Sequence, residues 1–284
     1  MTSLGISLVL AAAVCQATWN FFVKKIGGGP ELIWLFSLVS VLLYGPVAVW
    51  ILLTEAPEFG VPVLVFIAGS ALLHLGYFLL LQTGYRQGDL SLVYPTARAT
   101  GPLLSTALAV LLLGERVTLQ LVFGALIVVS GVLILTGGLG RSRQFSTSLA
   151  FGLGAGLLIG TYTVWDAYAV SVLAVSPILL DYASSVGRTL LLAPVARRRA
   201  TLVRSHWRNH RFAVLSIAVF NPLAYILVLF ALTFTPVAYV APTREVSVLL
   251  TVLAGSLLLG EGALKHRLSW SGYILIGIIL LVTA

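Results

Sequence analysis

The chain has 284 residues, of which 59% are hydrophobic and 9% charged, with a formal net charge of +8 and a mean hydropathy of +1.05. Soluble domains carry about 25% charged residues, and a chain this apolar lacks the polar surface to stay dissolved. That excludes a disordered chain, a collagen-like fibre and an ordinary soluble enzyme, and leaves a polytopic membrane protein whose basic excess points to cytoplasmic loops rather than nucleic acid.

Ten apolar segments follow in chain order, and they predict an all-α membrane protein. The first runs from Ser3 to Val23 and stops at Lys24-Lys25 and a Gly27-Gly28-Gly29-Pro30 turn. No Lys or Arg precedes it, so it reads as a retained helix rather than a signal peptide. The second spans Leu32 to Leu53, the third Val61 to Tyr85. An Arg86-Gln87-Gly88-Asp89 turn leads to the fourth, Leu90 to Leu113, and Gly114-Glu115-Arg116 separates it from the fifth, Leu119 to Thr136. A polar break from Gly137 to Ser146 precedes the sixth, Thr147 to Val170. The seventh is Pro177 to Val195, followed by a basic loop from Arg197 to Arg211. The eighth is Phe212 to Phe234, the ninth Val237 to Leu259 and the tenth Leu268 to Val282. Spans of about 20 residues leave no room for a soluble domain.

The chain repeats itself. Gln16-Ala17-Thr18-Trp19-Asn20 in span one parallels Tyr162-Thr163-Val164-Trp165-Asp166 in span six. Val93-Tyr94-Pro95-Thr96-Ala97-Arg98 opens span four as Val240-Ala241-Pro242-Thr243-Arg244-Glu245 opens span nine. Leu-Leu-Leu-Gly-Glu closes both, at residues 111–115 and 257–261. The matches keep their order at separations of 146–147 residues. They predict two five-helix repeats, residues 1–140 and 146–284. Five is odd, so consecutive copies cross the membrane in opposite senses. This inverted-topology layout recurs in secondary transporters, with the substrate site near the midplane between the halves.

Loop charges predict orientation. One side collects 13 Lys and Arg, including Lys24, Lys25 and the 197–211 stretch, and the other only Arg116. The basic side is therefore expected in the cytoplasm, with both termini outside.

Arg98, Arg188, Arg244, Asp166, Asp181 and Glu245 remain inside spans, where ionisable residues are rare and usually face a bundle interior or a wet cavity. Arg98 and Glu245 fall at nearly equivalent repeat positions, as do Asn20 and Asp166. One reading is a polar cavity in which Arg98 binds a carboxylate or phosphate and Glu245 or Asp166 takes a proton or an ammonium. The other is a set of charges that neutralise one another and fix helix packing. Asp181 and Arg188, at i,i+7, share a helical face and fit either reading. Pro95 and Pro242 fall in the first turns of their spans, as hinges or as ordinary N-terminal prolines. Trp19, Tyr77, Tyr94, Trp165, Tyr225 and Tyr239 recur near these polar positions, as cavity lining or as interface anchors. His74, at i,i+3 from Tyr77, is a proton carrier or a satisfied interior histidine. The candidate substrate-binding set is Asn20, His74, Tyr77, Tyr94, Arg98, Trp165, Asn221 and Tyr225. The candidate proton-coupling pair is Asp166 and Glu245. A Gly152-xxx-Gly156-xxx-Gly160 stripe predicts close helix approach.

The single Cys15 excludes an intramolecular disulfide and a cysteine metal cluster. Hydrolase, zinc-protease and P-loop motifs are absent, so neither a cofactor nor ATP drive is expected.

The duplicated five-helix unit, the Leu-Leu-Leu-Gly-Glu closures and the stretch from Leu73 to Glu115, with Gly88-Asp89-Leu90-Ser91-Leu92-Val93-Tyr94-Pro95, resemble the EamA-type drug/metabolite transporter superfamily. The resemblance implies a monomeric or weakly dimeric carrier in the cell inner membrane, often an exporter of amino acids or related metabolites. Its cavity would be lined by spans one, three, four, six, eight and nine. It carries Asn20, His74, Tyr77, Arg98, Asp166, Asn221, Tyr225 and Glu245 as site residues. Many relatives have basic residues that place the termini in the cytoplasm, and this sequence departs from that. A lipid or lipid-linked substrate flippase is the alternative reading.

Overall fold

The structure, a computed structural model, describes residues 1–57, 59–87, 90–135, 145–259 and 264–284. Glu58, the Gly88-Asp89 turn, Arg141, Arg143 and the Gly260-Glu261 closure lie outside the described residues. Eleven helices are present among the described residues: α1 (Ser3–Ile26), α2 (Pro30–Thr54), α3 (Val61–Gln87), α4 (Leu90–Leu113), α5 (Leu119–Leu135), α6 (Phe145–Ser171), α7 (Pro177–Arg198), α8 (Ala200–Leu232), α9 (Val237–Thr243), α10 (Val246–Leu259) and α11 (Leu264–Thr283). Seven of them, α1 to α4 and α6 to α8, are long and apolar enough to cross a membrane. Shorter apolar stretches, Leu119–Ile134 and Ser269–Thr283, form α5 and α11.

Large apolar side chains point away from the bundle: Leu119 is 79% exposed and Leu53 78%. In water such a surface would aggregate; against acyl chains it costs nothing. The protein is a multi-pass membrane protein.

The helices pack by the repeat. α1 lies on α8 as α3 lies on α6, and α2 touches α8 as α7 touches α3. α4 meets α5 as α10 meets α11, while the counterpart pairs α2–α7, α5–α11 and α4–α9 face each other. Exchanging the halves reproduces these contacts. The Met1 amino group lies 3.5 Å from the Val282 carbonyl oxygen, so the two termini meet at one end of the bundle.

Three expectations are corrected. Span nine is not one helix: α9 ends and α10 begins around Arg244 and Glu245. Pro242 has no N–H for the carbonyl four residues back, and the backbone tightens to three-residue bonds, Glu245 N–H to Pro242 O and Ser247 N–H to Arg244 O. Pro95 occupies the same position in α4, which runs through it unbroken. The basic loop at 197–211 is also helical. α7 runs to Arg198, α8 starts at Ala200, and the backbone turns out of helical geometry at His210 (φ −134°, ψ 29°). Finally, α2 starts at Pro30 rather than Leu32, because the Glu31 carboxylate accepts the Gly29 N–H at 2.9 Å and complements the positive end of the helix.

The glycine stripe of α6 packs as its spacing predicts. A Cβ on Gly152, Gly156 or Gly160 would lie 2.6, 2.5 and 2.8 Å from the Cβ atoms of Thr96, Thr100 and Leu104. α4 and α6 are thus in close contact at all three glycines of the stripe.

Candidate functional site

Because α4 packs on α9, Arg98 in α4 meets its repeat counterpart Glu245, just past the end of α9. Arg98 Nη2 lies 3.1 Å from Glu245 Oε2, and both residues are buried. Arg98 also donates to Ser247 Oγ at 3.2 Å. Its Nε has no partner among the described residues, so the guanidinium keeps an unused donor. The interruption between α9 and α10 lets consecutive charged residues serve different neighbours. Glu245 turns to Arg98, while Arg244 lies over the Tyr225 ring at 5.5 Å. Arg244 has no carboxylate partner among the described residues.

A second polar cluster joins α3, α6, α7 and α8. Asp166 on α6 is fully buried and accepts the Tyr225 hydroxyl at 2.5 Å. His74 Nε2 stands 3.8 Å from the same carboxylate oxygen. The other ring nitrogen of His74 is 2.9 Å from the Ser70 carbonyl oxygen, and Ser70 Oγ is 3.4 Å from Ser184 Oγ. Asp166 Oδ1 has no hydrogen-bond partner among the described residues. A buried carboxylate oxygen left this way is an open acceptor site for a donor group. Tyr162 stacks on His74 with ring centroids 4.1 Å apart and closes the aromatic wall around this cluster.

Two adjoining cavities lie against these clusters. One, of about 60 Å³, is bordered by His74, Tyr77, Arg98, Asn221, Tyr225 and Arg244, with Asp181, Ser184 and Arg188 on the α7 side. The other, of about 160 Å³, is bordered by Gln16, Trp19, Asn20, Tyr77, Tyr94 and Arg98, and it reaches the Gly28-Gly29 turn. Arg98 and Tyr77 border both. At the other end of the bundle, Glu115 accepts the N–H groups of Val237 and Ala238 at 2.7 and 2.9 Å. That carboxylate caps α9 and ties the end of α4 to it.

Most of the residues expected at the site come together here: Asn20, His74, Tyr77, Tyr94, Arg98, Asn221 and Tyr225 border the cavities. Asp166 and Glu245 stand behind them, joined through Tyr225 and Arg98. Trp165 stands apart. It stacks on Phe66 at 4.2 Å and donates its indole N–H to the Phe66 carbonyl at 2.8 Å, which locks α6 to α3. Its counterpart Trp19 borders both cavities instead. Asp181 and Arg188 face the first cavity without an ion pair within 4 Å among the described residues; Arg188 bonds Ser185 at 2.9 Å and lies over the Phe78 ring. Residues not expected from the sequence are Tyr162, Gln16 and, above all, Arg244. The signal for Arg244 was present, since it is an arginine inside a span beside a proline.

The chain matches the EamA-like transporter family twice, over residues 3–137 and 146–283. No curated protein matches it. Among solved structures, one crystal structure is similar over 99% of this chain and 99% of its own, with a TM-score of 0.78 and 15% identity. At that identity the likeness concerns the fold alone. The two family matches together span nearly the whole described bundle and both walls of the cavities, and the chain belongs to the EamA-like transporter family, a family of membrane transporters.

Proposed function

We propose that the protein is a secondary carrier that exports a small polar or amphipathic metabolite, an amino acid or related compound, by alternating access around the cavities between its two repeats. The observation that carries this reading is the Arg98–Glu245 pair, buried at the junction of the repeats, with Arg98 bordering both cavities. The chain crosses the membrane ten times in this reading, with α5 and α11 as spans and α9 and α10 forming one broken span. The halves are inverted, so a conformation open to one side has a counterpart open to the other. Reach to the Gly28-Gly29 turn and closure by Glu115 at the opposite end support an arrangement open toward the basic side. By loop charge that side is the cytoplasm, the side from which an exporter loads, and both termini lie outside the cell membrane.

Chemically, Arg244 and the free Nε of Arg98 supply donors for an anionic group, and the tyrosine and tryptophan faces take an apolar body. Asp166, linked to His74 and Tyr225, is the proton-coupling group, with Glu245 as the second candidate. The cavities are smaller than the roughly 300–1,000 Å³ typical of drug-sized pockets, which favours a compact ligand over a lipid. The carrier acts as a monomer or weak homodimer and needs no cofactor.

The test is untargeted metabolite profiling of cells and medium, comparing wild type with Arg98→Ala and Glu245→Ala at equal expression. A metabolite enriched outside with wild type alone supports export and names the substrate. Depletion from the medium reverses the direction. No change among soluble metabolites, with a change in lipid distribution, replaces the carrier with a flippase. Transport that ignores pH and survives Asp166→Asn and Glu245→Gln removes proton coupling. An inactive C-terminal alkaline phosphatase fusion overturns the orientation.

A further inference from the structure

α8 changes character at His210. Before it lie Arg204, Arg208 and an exposed Trp207; after it come Phe212 and the apolar stretch to Leu232. A helix that turns from basic to apolar at one point marks the boundary between water and hydrocarbon. A cavity of about 270 Å³ opens at this bend, between α8 and the end of α1. Lys25, Arg208 and Arg211 line it together with Phe22, Ile26 and Phe212. Among the described residues, no acidic residue lines it, and Lys25, Arg208 and Arg211 have no ion pair within 4 Å. The nearby Glu31 carboxylate is already engaged by Arg199 at 2.9 Å and faces His206 at 3.7 Å. Phe212 is 72% exposed, beside the cations and on the apolar side of the bend.

We propose that this cavity is a binding site for the phosphate headgroup of an anionic phospholipid. Lys25, Arg208 and Arg211 hold the phosphate, and Phe22, Ile26 and Phe212 receive the first part of the acyl chains. Three features select a lipid over a free anion. The cations have no acidic partner among the described residues, the cavity sits at the water–hydrocarbon boundary, and its wall turns apolar on the membrane side. Basic pockets between helices at such a boundary suit anionic headgroups. The site is separate from the central cavities, and the proposal survives if the transport reading fails.

Native mass spectrometry of the detergent-purified protein tests it. Phosphatidylglycerol, phosphatidylcholine and inorganic phosphate are titrated in turn against wild type, Lys25→Gln/Arg208→Gln/Arg211→Gln, and the charge-matched Arg197→Gln/Arg198→Gln/Arg204→Gln. Wild type and the charge-matched variant are expected to retain phosphatidylglycerol in preference to phosphatidylcholine. The cavity variant is expected to bind phosphatidylglycerol about 100-fold more weakly. Equal loss in both triple variants would mean diffuse attraction and overturn the site. Undiminished binding by the cavity variant would overturn it too. Displacement of phosphatidylglycerol by inorganic phosphate at matched concentration would make it a free-anion site and overturn the lipid assignment. If the triple variant does not fold, Arg208→Gln alone decides, with a loss of about fivefold expected and no loss contradicting the proposal.

Discussion

The contact of α4 with α6 and that of α1 with α10 are repeat counterparts, yet they are not alike. α6 presents Gly152, Gly156 and Gly160 to α4, and all three are buried. The positions 146 residues earlier in α1 are Ile6, Leu10 and Val14, of which Leu10 is 41% and Val14 57% exposed. One half is pressed flat against its neighbour, and the other shows bulky side chains outward. The same asymmetry runs through the prolines. α4, held along its length by α6, is continuous through Pro95, whereas its counterpart is interrupted after Pro242. A missing N–H thus interrupts the helix in one packing environment and not in the other. Under the alternating access proposed above, an unequal pair of counterpart contacts is what one of two exchangeable arrangements would look like.

The comparison can be broken at its centre first. Glu245→Gln removes the carboxylate that offsets Arg98, and an uncompensated buried charge costs about 3–5 kcal/mol. Thermal unfolding in detergent should show a clear drop; an unchanged midpoint would mean that the pair is not needed for charge balance. Next comes the glycine stripe. Gly156→Val puts side-chain atoms where Thr100 already stands, and overpacking of this kind costs about 1–3 kcal/mol. Gly272→Ala, with open space around it, should stay within about 0.5 kcal/mol. Equal effects at the two glycines would remove the α4–α6 clamp from the account. Glu115→Gln weakens the cap on α9, a loss of about 0.5–2 kcal/mol by analogy with other helix caps. It should also raise alkylation of a cysteine introduced near Val237, and no change in reactivity would remove Glu115 as a closure. The smallest effect is expected from Leu10→Ala, within about 0.5 kcal/mol, because that side chain faces outward.

Much of this was legible in the sequence because a repeat doubles every signal. Arg98 and Glu245 are 147 residues apart, and the counterpart packing of α4 and α9 brings them together. The glycine stripe was readable as a packing face from its four-residue spacing. Trp19 and Trp165 were not separable. They are the same residue type at the same repeat position, and only the neighbour, a cavity in one case and Phe66 in the other, distinguishes them. The basic stretch at 197–211 reads as a loop because it is polar. Yet Arg, Leu and Ala are good helix formers, and the Glu31–Arg199 bridge anchors the junction of α7 and α8. Arg244 was visible as an intramembrane charge, but its exposure to the cavity depends on the break in the helix, for which Pro95 and Pro242 were equal candidates in the sequence.

The most direct test of the central claim uses a variant in which charge balance is preserved. Arg98→Gln/Glu245→Gln removes both members of the pair at once, so neither is left buried alone. The account predicts a protein that unfolds within a few degrees of wild type but no longer moves the exported metabolite out of cells. A double variant that is folded and transports at the wild-type rate would make the pair a structural element and would contradict the placement of the substrate site between the repeats.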